Sequence, residues 1–449
     1  MLNSAHYRKQ LEKLPCLSVP ADAVQIHHSA REFKTRILQL IAAAKERIYL
    51  VALYLQDDEA GREILEALRL AKQANPGLEI RIFVDFHRAQ RGLIGKGKQA
   101  GNHLRYQELA RQYPDTMQIY GVPVKRREWM GVLHLKGFLF DNTLLYSGAS
   151  LNNIYLHQQE RYRFDRYHEI VDPALAASWA RFIQTNFVQS PAVKRLDIEP
   201  VPLVKSFRGD LRRLRSKLQR ARYEFTPATR APGHVSISPL VGLGKLGNRL
   251  NKCIRDLLRS AREEVFICTP YFNPPKGVAK DIDRLLRRGV RLTLVVGDKT
   301  ANDFYIPPSE PFNTVGGLPY LYEVNLRRFC QRYQPYIDKG QLNLRLWQHE
   351  QNSYHLKGIF VDEDLALITG SNLNPRAWAL DLENGLLLRD PEQKLEALFQ
   401  HERENILTHT RRLNHFTELE QIPDYPEQVR RLLLKLQRFK AHLLLKQLL

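Results

Sequence analysis

The feature that most constrains this chain is a pattern written twice. Residues 133–153 read LHLKGFLFDNTLLYSGASLNN and residues 354–383 read YHLKGIFVDEDLALITGSNLNPRAWALDLE, so His134, Lys136 and Asp141 lie 221 positions before His355, Lys357 and Asp362. A second stretch recurs at nearly the same distance, with AKERIYLVALYL (44–55) falling over AREEVFICTPYF (261–272) at an offset of 217. Two near-equal offsets carried by whole helix and strand units indicate a duplicated domain.

Each copy has α/β grammar. Phe33, Ile37, Leu40 and Ile41 give residues 30–44 helical spacing, and the apolar run 48–55 reads as a buried strand. A helix at 60–74, an AsnProGly turn at 75–77 and the strand LEIRIFVDF (78–86) follow. After residue 240 the order restarts with a helix at 247–262, a strand at 264–272, a helix at 278–288 and a strand at 291–298. This alternation predicts two similar α/β domains, each a mostly parallel β-sheet flanked by helices. The expected divisions are 1–204, a basic amphipathic helix and linker at 205–234, 235–424, and a basic amphipathic tail at 425–449.

Charge narrows the partners. With 68 Lys and Arg against 48 Asp and Glu, the chain carries +20 and is drawn to phosphate: anionic lipid, or nonspecifically nucleic acid or ribosomes. The stretch KSFRGDLRRLRSKLQRAR (205–222) sets Phe207, Leu211, Leu214, Leu218 and Ala221 on one helical face. In the tail, Arg431, Lys435, Arg438, His442 and Lys446 oppose Val429, Leu432, Leu433, Leu436, Phe439 and Leu443. Such helices fit a lipid headgroup layer; a helix docked on the body with a solvated basic face has the same pattern. Residues 226–234 read as a linker, and the Pro, Gly and aromatic residues of 304–322 as an ordered loop near a site.

The four cysteines, Cys16, Cys253, Cys268 and Cys330, are too scattered for a zinc knuckle and too few for a disulfide framework, which fits a reducing cytoplasm. The opening MLNSAHYRKQLEKLP lacks the apolar core of a secretory signal, and the run 48–55 is far short of the ~20 residues that cross a bilayer. Membrane contact is therefore expected from the surface, at the inner face of the cell membrane.

HisXLys on an extended segment puts both side chains on one side, with Leu135 facing the other way. An imidazole can attack phosphorus or protonate a leaving oxygen, and a lysine can neutralise the non-bridging oxygens, so the pair suits phosphoryl transfer. Asp141 and Asp362 each follow an apolar strand, where direct catalysis, a turn and a salt bridge all fit.

This arrangement resembles the phospholipase D superfamily, whose signature is HisXLys, four residues, Asp, then a Gly/Ser/Asn-rich turn. The resemblance implies two α/β domains related by a pseudo-twofold axis, with one site built from both motifs. It also implies a covalent phosphohistidine on one histidine, acid and base work by the other, and no metal or other cofactor. Carried onto this chain, it makes His134 the nucleophile and His355 the acid/base, with Lys136, Lys357, Asp141 and Asp362 completing the motifs. Glu169 in RYHEIVDP and Glu383 in LDLENGLLLRDP correspond to glutamates that orient histidines. The turns depart from the family's GlySerXAsn, and the best register pairs Ser150 with Asn372 and Asn152 with Asn374 as phosphate-holding residues. Tyr271 in TPYF is a substrate contact or a packing residue. Arg126, Arg127, Arg161 and Arg376 could hold a pyrophosphate or a carboxylate, or simply face solvent.

Within the superfamily, similarity is strongest to the bacterial branch that moves a phosphatidyl group from CDP-diacylglycerol to L-serine, carried by HLKG in both motifs and by SNLNPRAWALDLEN (371–384). That branch implies ping-pong exchange with retention at phosphorus. Two other readings use the same site: a cardiolipin synthase-type phosphatidyltransferase with a lipid hydroxyl as acceptor, and a phosphodiesterase or nuclease. A non-enzymatic lipid or RNA binder would leave two intact histidine motifs without work.

Overall fold

Continuous apolar strand runs and amphipathic helices build one six-stranded arrangement twice. In the computed structural model, which describes residues 3–92, 101–307 and 309–438, the chain falls into two units. The first holds 15–250 and 380–387, and the second holds 1–14, 251–379 and 388–449. The division is not linear: residues 205–250 go with the first repeat, while 1–14 go with the second.

In the first unit the strands of the main sheet are β1 (Val24–His27), β2 (Arg47–Val51), β3 (Glu79–Asp85), β4 (Gln118–Val122), β5 (Gly137–Phe140), β6 (Thr143–Ser147), β7 (Tyr167–Val171) and β8 (Lys194–Arg195). They form an eight-stranded sheet in the order β8-β4-β3-β2-β5-β6-β7-β1. Only β2, β3 and β4 run parallel, with Arg47 opposite Glu79 and Arg81 opposite Gln118. The expected mostly parallel sheet is thus a mixed one. Two residues, Asp141 and Asn142, join β5 to β6, too few for the crossover that a parallel pair requires.

The helices of this unit have legible causes. In α1 (Ala30–Ala43) the Ser29 hydroxyl accepts the Glu32 amide at 3.1 Å while the Glu32 carboxylate accepts the His28 amide at 2.9 Å. Phe33, Ile37, Leu40 and Ile41 form its buried stripe. Asp58 caps α2 (Glu59–Ala74), which buries Ile64, Leu65 and Leu68. From α3 (Pro173–Ile183), Trp179 lies flat on Gly137, whose φ is +139°. A Cβ there would stand 2.4 Å from the indole, so the glycine of HLKG is a packing requirement.

α4 (Arg208–Arg220) turns Leu211, Leu214 and Leu218 into the same unit. Phe207 meets Phe86 edge-on at 5.7 Å, and the Lys217 ammonium donates to the Thr185 carbonyl at 2.6 Å. The apolar face that the sequence could lay on lipid is therefore buried in protein, leaving the basic face outward.

The second unit repeats the plan with β9 (Glu264–Thr269), β10 (Arg291–Gly297), β11 (Leu342–Trp347), β12 (Gly358–Val361), β13 (Leu365–Thr369) and β14 (Thr410–Leu413), ordered β14-β11-β10-β9-β12-β13. Again only the three strands β9, β10 and β11 are parallel. α5 (Lys276–Arg287) links β9 to β10. The expected loop 304–322 gives way at Leu318 to α6 (Leu318–Asp338), with Pro319 in the first turn, where its missing amide costs nothing.

α7 (Glu427–Arg438) packs on α6: Tyr425, Val429 and Leu433 are buried with Tyr320 and Val324. Full burial of an aliphatic side chain contributes about 1.5–3 kcal/mol relative to exposure to water, and the tail's apolar face gains it against protein. The expected continuation of that face through Phe439, His442, Leu443 and Lys446 lies outside the described residues. Among the described residues no helix is long and apolar enough to cross a membrane.

Candidate active site

Backbone pairing sets the first motif. Leu133 bridges Leu382 in parallel: the His134 amide donates to the Leu382 carbonyl at 3.0 Å, and the Leu382 amide donates to Val132 at 3.0 Å. Because Glu383 follows Leu382, its carboxylate falls on His134, with both oxygens 2.9 Å from Nδ1. A carboxylate can only accept, so Nδ1 carries the proton and the lone pair of the neutral imidazole sits on Nε2. Both side chains are buried, which strengthens the pairing.

Lys136 is fixed by a residue that sequence reasoning left unassigned. The Asn384 side chain accepts the Lys136 amide and donates to the Lys136 carbonyl, each at 2.9 Å, in place of a strand neighbour. The Tyr146 hydroxyl donates to the Asn384 carbonyl at 3.0 Å. With its backbone clamped, Lys136 extends its ammonium to the Ser150 hydroxyl at 3.1 Å. Asp85, at the end of β3, was also missed: it accepts the Leu133 amide at 2.9 Å and the Arg88 amide at 2.9 Å. Burial pushes its carboxyl up to about 6 in spite of those donors. A charged residue closing the otherwise apolar end of LEIRIFVDF was the available signal.

The Lys357 ammonium contacts His355 Nδ1. Tyr271 sets its ring edge toward His355 with centroids 6.4 Å apart, stacks on Tyr322 at 5.2 Å, and commits its hydroxyl to Asp303 at 3.0 Å. Its placement is that of a packing and orienting residue.

The turns align as the register predicts. Ser147 accepts the Ala149 amide and Thr369 the Ser371 amide, each at 3.1 Å. Asn152 accepts the Tyr155 amide at 3.0 Å, and Asn374 accepts the Ala377 amide at 2.9 Å. These pairs are 222 positions apart, one more than the histidines, because three residues join β12 to β13 where two join β5 to β6. With their carbonyl oxygens in the turn, Asn152 and Asn374 keep their amide N–H groups to offer a phosphate. Asn372 has its backbone carbonyl held by the Thr269 hydroxyl at 2.6 Å.

Two expectations need correction. Asp141 and Asp362 are not placed for direct chemistry, since each lies seven positions after its histidine, beyond the far end of a four-residue strand that alone spans roughly 13 Å. Asp141 accepts the amides of Lys45, Glu46 and Arg47 at 2.8–2.9 Å. Asp362 accepts those of Arg262, Glu263 and Glu264 and pairs with Arg8. With φ of +48° and +51°, both are turn residues that tie a hairpin to its neighbouring strand.

Glu169 is likewise engaged elsewhere: Arg36 grips it through two hydrogen bonds of 2.8 and 2.7 Å, and His27 adds a third at 2.9 Å. Counting back from the two AspPro pairs identifies the true counterpart of Glu383. Glu383 lies seven residues before Asp390, and Asp165 lies seven before Asp172. Asp165 is buried and accepts the Arg166 amide at 2.9 Å.

A family model described as "Cardiolipin synthase, PLD-like domain" matches residues 37–177 and 254–403. The chain is 49% identical over 445 residues, 98% of either chain, to the CDP-diacylglycerol--serine O-phosphatidyltransferase of Haemophilus influenzae. It is 45% identical over 444 residues to the enzyme of the same name from Escherichia coli, spanning 99% of this chain and 98% of that one. The crystal structure of phosphatidylserine synthase from Haemophilus influenzae matches with a TM-score of 0.97 at 48% identity, covering 100% of both chains.

Proposed function

Since this chain belongs to the phospholipase D-like family, we propose that it transfers the phosphatidyl group of CDP-diacylglycerol to L-serine, giving phosphatidylserine and CMP. The observation that carries this reading is 45–49% identity over nearly the whole length to two enzymes named for that reaction. Both histidine motifs are intact, as the reading requires.

The Glu383 carboxylate on His134 Nδ1, which leaves the Nε2 lone pair for attack, supports a division of labour between the two imidazoles. His134, with its lone pair on Nε2, attacks the phosphorus that bears diacylglycerol. The phosphorus–oxygen bond to CMP breaks as His355, entering this step as imidazolium, supplies a proton to the leaving oxygen and becomes neutral. Serine's hydroxyl then returns a proton to His355 as its oxygen displaces His134. Two inversions leave the configuration at phosphorus unchanged. Lys136 and Lys357, with Ser150, Asn152, Asn372 and Asn374, neutralise the non-bridging oxygens.

A donor dissolved in a bilayer and a charge of +20 together support work at the inner face of the cell membrane. Labelled serine incubated with CDP-diacylglycerol in detergent micelles tests the reaction. Serine-dependent lipid product and CMP are expected, and absence of both would reject it. The description of the matching family model favours one competing acceptor, a lipid hydroxyl. Product formed from phosphatidylglycerol but not from serine would establish that reading instead.

A further inference from the structure

We infer that the first unit meets an anionic bilayer through two apolar loop tips, Trp129 and Leu246, set beside one basic turn of α4. The inference deepens the proposed function, resting on its premise that the donor is a membrane lipid. Leu246 is 88% exposed and Trp129 57% exposed, so both hold a large apolar side chain out to solvent. Each is escorted by exposed cations, Arg126 and Arg127 before Trp129, Lys245 and Arg249 around Leu246.

The two tips share a support. Lys125, at the base of the Trp129 loop, is half-buried and feels the charge of Arg215 on α4. On the other side, the Gln219 side-chain nitrogen lies 3.2 Å from where a Cβ on Gly244 would be, at the base of the Leu246 loop. Residues 215 and 219 are one helical turn apart, about 6 Å. Arg212, Arg215 and Arg220 are exposed along that part of the helix, whose apolar side is buried. The surface therefore presents apolar tips in front of a cationic bed, which suits an indole at headgroup depth and phosphates behind it. Single-stranded RNA would instead call for aromatic faces lying in a basic groove.

The tip is also tied to the chemistry. From Trp129 the chain runs through Gly131, packed so closely on the Leu380 carbonyl that a Cβ would stand 2.2 Å from it. Val132 then donates to Asp381 at 2.9 Å, and His134 follows two residues later. Seating Trp129 in the headgroups thus fixes the His134 segment at the surface that holds the donor.

The test uses the intact protein and vesicles of equimolar phosphatidylglycerol and phosphatidylcholine. The Trp129→Ser, Leu246→Ser double variant is expected to lose vesicle affinity by about tenfold or more, with its melting temperature and its turnover in detergent micelles unchanged. Brominated lipids should quench wild-type tryptophan emission, and most of that quenching should vanish in Trp129→Phe. Unchanged vesicle binding by the double variant, quenching that persists without Trp129, or a loss of RNA binding in place of vesicle binding would overturn the inference. Because binding and quenching are read without turnover, failure of the serine reaction would remain a separate result.

Discussion

Glu383 and His134 are 249 positions apart in the chain and 2.9 Å apart in the fold, within one unit. A carboxylate encoded in the second repeat therefore sets the tautomer of the histidine in the first. The duplication has become interdependent at the level of a single hydrogen bond.

Glu383→Gln tests that dependence. The amide can turn its NH2 toward Nδ1 and so favour the tautomer with the proton on Nε2. The expected result is a fall in kcat of about 10²–10⁴-fold with little change in KM, measured by steady-state assay in mixed micelles. Loss of KM alone would mean that Glu383 acts through binding.

Asp141→Ala and Asp362→Ala should separate stability from chemistry. Each releases amides at the start of a strand that are exposed or half-buried and can turn to water, which costs about 0.5–1.5 kcal/mol by denaturant unfolding. The folded fraction should retain kcat within a few-fold. A collapse of kcat in a fully folded variant would restore a direct role to these aspartates.

Glu169 gives a pH signature. Burial alone would raise its carboxyl, but hydrogen bonds from Arg36 and His27 outweigh it and hold the group at about 2, against an ordinary 4.5. A depressed folded value contributes stability that is present above the unfolded value and is lost as pH falls from 4.5 through about 2. Glu169→Gln should therefore flatten the acid limb of the stability curve in that window. Urea titrations across it check the slope, and an unchanged limb would contradict the pairing.

Leu433→Asp places a charge between α7 and α6. Loss of about 2–4 kcal/mol is expected, with binding to anionic vesicles unchanged below the melting temperature. Weakened vesicle binding by a folded variant would return the apolar face of the tail to the membrane.

Local patterns were legible and long-range occupancy was not. The helical spacing around Ile37 and the apolar runs around Leu50 and Ile82 announced the helices and strands, and the repeat announced both HisXLys pairs. What Asp141 does depends on amides some 95 positions earlier, which no local pattern reveals. Glu169 was misaligned because the first repeat spends 13 positions from Asn152 to Asp165 where the second spends nine from Asn374 to Glu383. Amphipathicity marked α4 and α7 as helices with one face to bury, but the partner that covers the face, protein or lipid, is a tertiary fact. Asn384 and Asp85 act on the backbone of the motif, so their chemistry left no motif of its own.

Rapid quench of the wild-type enzyme with phosphorus-labelled CDP-diacylglycerol and no serine, followed by peptide mapping, tests the central claim most directly. The account predicts an acid-labile phosphatidyl adduct on the peptide bearing His134, formed in step with CMP release. An adduct on His355, or CMP release with no adduct on either histidine, would contradict it.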